Sequence, residues 1–271
     1  MKLHVLSNGV QCIDKSLMVA GYGQMTYNHP VSTTKLIEIP IHTFLIEHEE
    51  GLVLFDTACD PKWKKNWPED IKELSPYLAK EEELLPNRLR QLGYTPEEVN
   101  YVVMSHLHND HAGCLYMFKN AQIIVNDAEL TNTVHNYVTK ESLNVHVASD
   151  VKAMIDADLN WRPVKDDEKE WEFLKGLTVL NLGSGHAWGM LALKIELKNS
   201  GNILLAADAI YTSENYGPPV KNPGIVYDTL GYEKSAKEIR AYAEKYNCTV
   251  LFGHDIEQFN TLRKAPEEYY D

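Results

Sequence analysis

SHLHNDHAG, residues 105–113, packs three histidines and an aspartate into six positions: His106, His108, Asp110 and His111. Imidazole nitrogen and carboxylate oxygen are ligands for zinc and similar ions, usually about four to a site. His106 and His108 stand two apart, so an extended segment or tight turn aims both the same way. Asp110 and His111 are adjacent and are expected to diverge, which suits a second ion beside the first. One short loop can therefore feed two metals, but it completes neither site alone. Distant ligands are required.

The flanking sequence offers them at strand ends. NYVVMS (100–105) reads as a buried strand running straight into the cluster. LTVLNL (177–182) leads to His186, NILLAAD (202–208) ends on Asp208, and TVLFGH (249–254) ends on His254. Polar residues at strand ends are where a rigid sheet positions chemistry and loops shape access. The expected assignment is His106, His108 and His186 on one ion, and Asp110, His111 and His254 on the other. Asp208 bridges them, because a carboxylate has two oxygens to offer. Gly185 and Gly253 leave room for tight turns that aim the next histidine. His4, His29, His42, His48, His135 and His146 lack such company and are read as non-ligands.

Around these ends, helical and strand signals alternate. IPIHTFLIE (39–47) and GLVLFDTA (51–58) read as a hairpin across His48-Glu49-Glu50. A helix is expected around 81–92, with Leu84, Leu85, Leu89 and Leu92 on one face. Thr95-Pro96-Glu97-Glu98 has a capping-box pattern for a short helix. QIIVND (122–127) reads as a strand, 127–157 as a long polar helical stretch, LALKIEL (191–197) as a strand and 232–246 as a helix. KDDEKEWEF (165–173) reads as a solvated loop or helix start. The class is α/β, in a single domain over 1–271, with no low-complexity segment or linker.

Composition narrows the partners. A formal net charge of −13 over 271 residues argues against nucleic acid and anionic membrane, which call for a basic surface. The four cysteines are scattered without a CxxC pair, which suggests reduced thiols in a cytoplasmic protein. The N-terminus lacks the apolar core of a signal peptide, and no run of about 18 apolar residues occurs. The expected partner is a small-molecule substrate, for a monomer or homodimer. VAGYGQMTYNHP (19–30) is read as a pocket lid, a dimer contact or a packed loop.

The HxHxDH loop followed by downstream His, Asp and His resembles the metallo-β-lactamase superfamily. That resemblance implies an αββα sandwich, two mixed β-sheets face to face with helices outside and a dinuclear site at one edge. It makes Asp56, at the end of GLVLFDTA, a supporting residue beside the ligands. Within the superfamily the chain is most similar to the N-acyl homoserine lactonases, through SHLHNDHAG, FGHDIEQ (252–258) and DAIYTSEN (208–215). In the last, the bridging aspartate is followed three residues later by a tyrosine, here Tyr211. The implied activity is opening of an acyl homoserine lactone ring by a hydroxide bridging two divalent ions. Zinc is the expected metal, with iron, manganese or cobalt as alternatives. Tyr211 steadies the oxyanion and Asp110 shuttles the proton. Two departures border the pocket. Asn109 stands where the lactonases typically carry an aromatic residue, and Ser-Gly-His-Ala-Trp-Gly-Met (184–190) replaces their Pro-Gly-His turn. Asn109 and Trp188 are therefore expected to contact substrate together with Tyr211.

The rival readings stay on the same fold: a β-lactamase, or a hydrolase of another ester, thioester or phosphodiester. Glyoxalase II-like chains carry an added C-terminal helical region with basic residues, which is not seen after FGHDIEQFNTLRK. A flavodiiron redox domain would place an acidic residue where His108 stands. A purely structural zinc site would be built from cysteines.

Overall fold

The computed structural model describes residues 1–143 and 145–271. It opens on a long strand that the sequence reading passed over, β1 (Lys2–Asp14). The expected hairpin follows as β2 (Leu36–His48) and β3 (Gly51–Phe55), antiparallel with Phe44 opposite Phe55. Four more strands, β4 (Tyr77–Leu78), β5 (Val99–Val103), β6 (Gln122–Asn126) and β7 (Asn160–Val164), complete a mixed sheet in the order β4-β1-β2-β3-β5-β6-β7. The second mixed sheet has the order β12-β11-β10-β9-β8. It is made of β8 (Glu170–Leu174), β9 (Leu177–Gly183), β10 (Met190–Leu197), β11 (Gly201–Ala207) and β12 (Cys248–Phe252).

Side-chain alternation stacks the two sheets. Phe44, Ile46, Val53, Phe55, Val103 and Ile124 of the first sheet meet Val179, Leu191, Leu193, Ile195, Ile203 and Leu205 of the second in one buried cluster. The intervening residues point outward, where helices cover them. Leu45, Leu54, Val102 and Ile123 pack with Leu85, Leu89, Val151 and Met154. Leu180, Ala192, Leu204 and Ala206 pack with Ala236, Ile239 and Ala243 of helix Thr229–Tyr246, whose buried positions recur at helical spacing. Burying each large apolar side chain is worth about 1.5–3 kcal/mol. Two apolar faces per sheet are what hold the four αββα layers together. Among the described residues, no helix is long and apolar enough to cross a membrane.

Several local readings are corrected. Residues 170–174 form strand β8: Glu170 and Glu172 face out while Trp171 and Phe173 are half-buried, a period of two inside a charged stretch. The helical stretch 127–157 is two helices, Asp127–Thr139 and Ala148–Asp156. Lys140 ends the first in a left-handed conformation (φ +64). The helix expected over 81–92 is a 3-10 turn, Glu81–Glu83, then helix Leu85–Gln91. The capping box at Thr95 forms around a 3-10 turn, Pro96–Glu98. Most of residues 20–35 are exposed, Tyr27 fully so, which removes the packed-loop reading of that segment.

Candidate metal centre and active site

β3, β5, β9, β11 and β12 all end at one edge of the sandwich, and each is followed by a polar residue singled out above. Asp56 directly follows β3, with a left-handed backbone (φ +61) and its N–H donated to Val103 O of β5. The ligand loop follows β5, and Asp208 directly follows β11. Gly183, not Gly185, takes the left-handed turn before His186 (φ +73). Gly253 is required by close approach: a Cβ there would lie 2.6 Å from Asp208 Oδ1.

The seven expected side chains converge. His106, His108 and His186 form one group, with His108 Nδ1 and His186 Nε2 facing each other at 2.8 Å. Asp110, His111 and His254 form another, with Asp110 Oδ2 at 3.6 Å from His111 Nε2 and 3.4 Å from His254 Nε2. Asp208 lies between them. Its Oδ2 is 3.2 Å from His186 Nε2 and 3.9 Å from His106 Nε2. Its Oδ1 is 3.0 Å from His254 Nε2 and 3.2 Å from His111 Nε2. One expectation fails: Asp110 and His111 do not diverge. The chain enters the short helix Asn109–Ala112, where neighbours stand about 100° apart instead of about 180°, so both reach toward His254.

The donor set fits a pair of divalent cations. His106 Nε2, His111 Nε2 and Asp208 Oδ1 are buried with no hydrogen-bond partner among the described residues, despite the short distances. They aim at shared points and not at one another. A buried unmade hydrogen bond costs about 1–3 kcal/mol, and more for a charged group. Nitrogen and oxygen donors in this number suit zinc and its neighbours.

The outward ring nitrogens are anchored. His106 Nδ1 donates to Ser105 Oγ (2.9 Å), which donates to Asp56 Oδ2 (2.8 Å). Asp56 Oδ2 also accepts from His111 Nδ1 (2.9 Å), and Asp56 Oδ1 from Ser105 N–H (2.7 Å). His254 Nδ1 donates to Pro40 O (3.0 Å) and His186 Nδ1 to Ile225 O (3.1 Å). Such outer partners fix tautomer and ring orientation.

Sequence reasoning missed a second brace. Glu129, fully buried on helix Asp127–Thr139, accepts from Leu107 N–H (2.9 Å), His146 Nε2 (2.7 Å) and Gly189 N–H (3.1 Å). It ties the ligand loop to the turn after His186. His146 is not helical: it stacks on Trp188 (centroids 4.5 Å, 17°) and meets His108 edge-on at 4.5 Å. Nothing local in sequence separates Glu129 from a surface glutamate. Its partners come from segments 17 to 60 residues away.

Electrostatics divide the two groups. Burial holds His106 and His108 well below the ordinary imidazole range, helped by neighbouring imidazoles, and lowers His186 as well. Burial alone would lower His111 and His254 too. The carboxylates outweigh it, Asp208 most strongly, lifting His111 well above its ordinary range and His254 to about 10. Burial and the same carboxylates keep the Tyr211 phenol protonated. Its hydroxyl lies 3.1 Å from His186 Nδ1. Asn109, Asp110 and Tyr211 line one narrow cavity of about 50 Å³ beside the donors, walled by apolar residues such as Ile13, Leu17 and Ile71. Trp188, expected beside the substrate, does not line this cavity; it lines an adjoining one with His108, His146, His186 and Tyr227.

The sequence profile of the metallo-beta-lactamase superfamily matches residues 36–254. N-acyl homoserine lactonase AiiB of Agrobacterium fabrum is 39% identical, over all of this chain and 99% of that protein. The chain belongs to the metallo-β-lactamase superfamily, in its N-acyl homoserine lactonase family. AiiA of Bacillus thuringiensis subsp. kurstaki, also named an N-acyl homoserine lactonase, is 32% identical over 89% of this chain and 91% of its own. Among solved structures, an N-acyl homoserine lactone hydrolase with N-hexanoyl-L-homoserine bound at its catalytic metal centre superposes with a TM-score of 0.81. It is 29% identical and covers 99% of this chain and 98% of that one. A variant of B. thuringiensis AiiA holding N-decanoyl-L-homoserine gives the same values. The αββα arrangement of this superfamily is thus present in sequence and in structure.

Proposed function

We propose that this chain is a dinuclear metal-dependent hydrolase that opens the lactone ring of N-acyl homoserine lactones. The observation that carries the reading is the shared wall: Tyr211 and four of the seven converging donors, His108, Asp110, Asp208 and His254, line one cavity together with apolar residues. The product-bound relatives support the substrate class. His106, His108 and His186 would hold one ion, Asp110, His111 and His254 the other, and Asp208 would touch both. Two such ions, which we take to be zinc, would supply activated water at neutral pH and polarise the ester carbonyl. The four free cysteines agree with a reducing, cytoplasmic setting.

The residues then have distinct tasks. Tyr211 donates its hydroxyl proton in a hydrogen bond to the carbonyl oxygen as that atom gains negative charge. Asp110 has the most exposed of the acidic side chains in the cluster, at 12% against 3% for Asp208. It takes the proton of the attacking water and passes it to the ring oxygen as the acyl carbon–oxygen bond breaks. Water adds across that bond and the product is the open hydroxy acid. Apolar side chains such as Ile13, Leu17 and Ile71 receive the acyl chain, with Asn109 at its polar end and Trp188 setting the back of the pocket through His146 and His108.

The direct test is proton release from octanoyl homoserine lactone by zinc-loaded protein against a metal-stripped control. Metal-dependent release is expected. Absence of release from protein that holds two metal equivalents would refute the lactone assignment and turn attention to thioesters and phosphodiesters.

A further inference from the structure

Besides the metal donors and Tyr211, the wall of the substrate cavity carries two side-chain amides whose NH2 groups have no partner among the described residues. Gln11 is 3% exposed and Asn109 6%, and both line the cavity. Gln11 Nε2 and Asn109 Nδ2 are buried with no hydrogen-bond partner among the described residues. Leaving a buried donor unpaired costs about 1–3 kcal/mol, whereas an apolar side chain in either place would cost nothing. A cavity meant only for a plain alkyl chain has no use for either group.

Their places in the fold differ. Asn109 stands between His108 and Asp110, at the reacting end. Gln11 shares its face of β1 with Ile13, two residues on, which lines the same cavity. Across the ladder Gln11 is paired on one side with Ile39, next to Pro40, whose carbonyl accepts from His254. On the other it is paired with Tyr77, just past Leu74 and Ser75 of the outer wall. Gln11 therefore sits between the metal centre and the apolar end of the cavity. A side-chain amide can turn to present N–H or oxygen to a ligand.

We propose, building on the lactone reading, that these amides form a polar subsite for oxygens on the acyl chain. Asn109 meets the amide carbonyl common to all acyl homoserine lactones. Gln11 meets an oxygen on the third acyl carbon, so the enzyme selects 3-oxo or 3-hydroxy chains over unsubstituted ones. The subsite is an acceptor-reading device set among apolar residues such as Ile13, Leu17 and Ile39.

The test compares kcat/KM for 3-oxo-octanoyl and octanoyl homoserine lactone, using the zinc-loaded full chain. The wild type is expected to favour the 3-oxo substrate about tenfold, the equivalent of about 1.4 kcal/mol. Gln11→Leu, similar in size without the donor, is expected to bring that ratio close to one. Asn109→Leu is expected to lower both values together and leave the ratio in place. A wild-type ratio near one overturns the subsite without any variant having to fold. A ratio unchanged in Gln11→Leu overturns it as well. Failure of the metal-loaded wild type to open either lactone overturns the lactone reading and the subsite with it; opening both equally overturns the subsite alone.

Discussion

Replacing Glu129 with alanine is expected to cost more than removing any surface carboxylate, because three donors lose their acceptor together. Leu107 N–H, Gly189 N–H and His146 Nε2 all point at this one fully buried group. Each donor left unpaired costs about 1–3 kcal/mol. Three such donors together come to about 3–9 kcal/mol. For a chain of this size 1 kcal/mol corresponds to roughly 2–4 °C in Tm, so the expected drop is about 6 °C or more. Glu129→Gln keeps the volume and one acceptor but turns an NH2 toward a donor, for about 2 kcal/mol. The effect should also be local. Leu107 separates His106 from His108, and Gly189 follows the His186 turn, so affinity at the three-histidine group should fall about 10–100-fold in the alanine variant. Urea unfolding of metal-stripped protein isolates the first effect, and competition with a chelator the second. An alanine variant within 1 kcal/mol of wild type, with unchanged metal affinity, would refute the bracing role.

Other expectations follow from the same contacts. Tyr211→Phe should lower turnover about 10²–10³-fold with metal content intact, since one oxyanion donor is lost; unchanged kcat would remove the role. Asp208→Asn should reduce bound metal measured by elemental analysis, and two full equivalents would contradict a carboxylate that touches both ions. Asp150, bonded to Trp67 and Ser149 and not to the seven donors, tests the effect of burial and of a neighbouring carboxylate. Burial, helped by Asp60, lifts its carboxyl to about 8, while its neutral form can still accept from Trp67 Nε1 (3.1 Å). The native state thus holds a proton that the unfolded chain, at about 3.9, has released, so this contribution is full below about pH 4 and is lost as pH rises through 8. Asp150→Asn should gain on wild type by up to about 1.4 kcal/mol per pH unit between pH 5 and 8; a stability difference flat across that range would contradict it.

The ligand loop was legible because metal chemistry forces an improbable density of histidine and aspartate, and because the distant donors fall at ends of apolar runs. The convergence of adjacent Asp110 and His111 was not, since it depends on a one-turn helix that four residues cannot announce. β1 escaped notice for a local reason. Ser7-Asn8-Gly9 interrupts its apolar alternation with a bulge, where the register with β2 shifts between Ser7 and Val10 and Gly9 adopts φ +87. A Cβ on Gly9 would lie 2.6 Å from Leu78 O, so the glycine serves strand packing and not chain reversal. The aromatic–acid alternation of β8 was present in the sequence and was outweighed by its charge. Glu129, His146 and the stacking of Trp188 had no signal at all: each depends on contacts between segments far apart in the chain.

Asp56 and Glu129 together explain how a loop becomes a fixed ligand set. Asp56 takes Ser105 N–H from one side, and Glu129 takes Leu107 N–H from the other. His106 lies between those two anchored peptides, and its own Nδ1 is held by Ser105. His111 is tied back to Asp56, so both ends of the loop lean on one carboxylate. The backbone just before Asp208 and at Asp56 itself is left-handed without glycine, at Ala207 (φ +43) and Asp56 (φ +61). Such conformations cost about 1–3 kcal/mol each and persist only where surrounding structure over-determines them. Here that structure is the paired ends of β3 with β5 and of β11 with β12, inside the apolar core between the sheets. Donor positions are therefore set by sheet packing and buried carboxylates, and core burial offsets the strain that aims them.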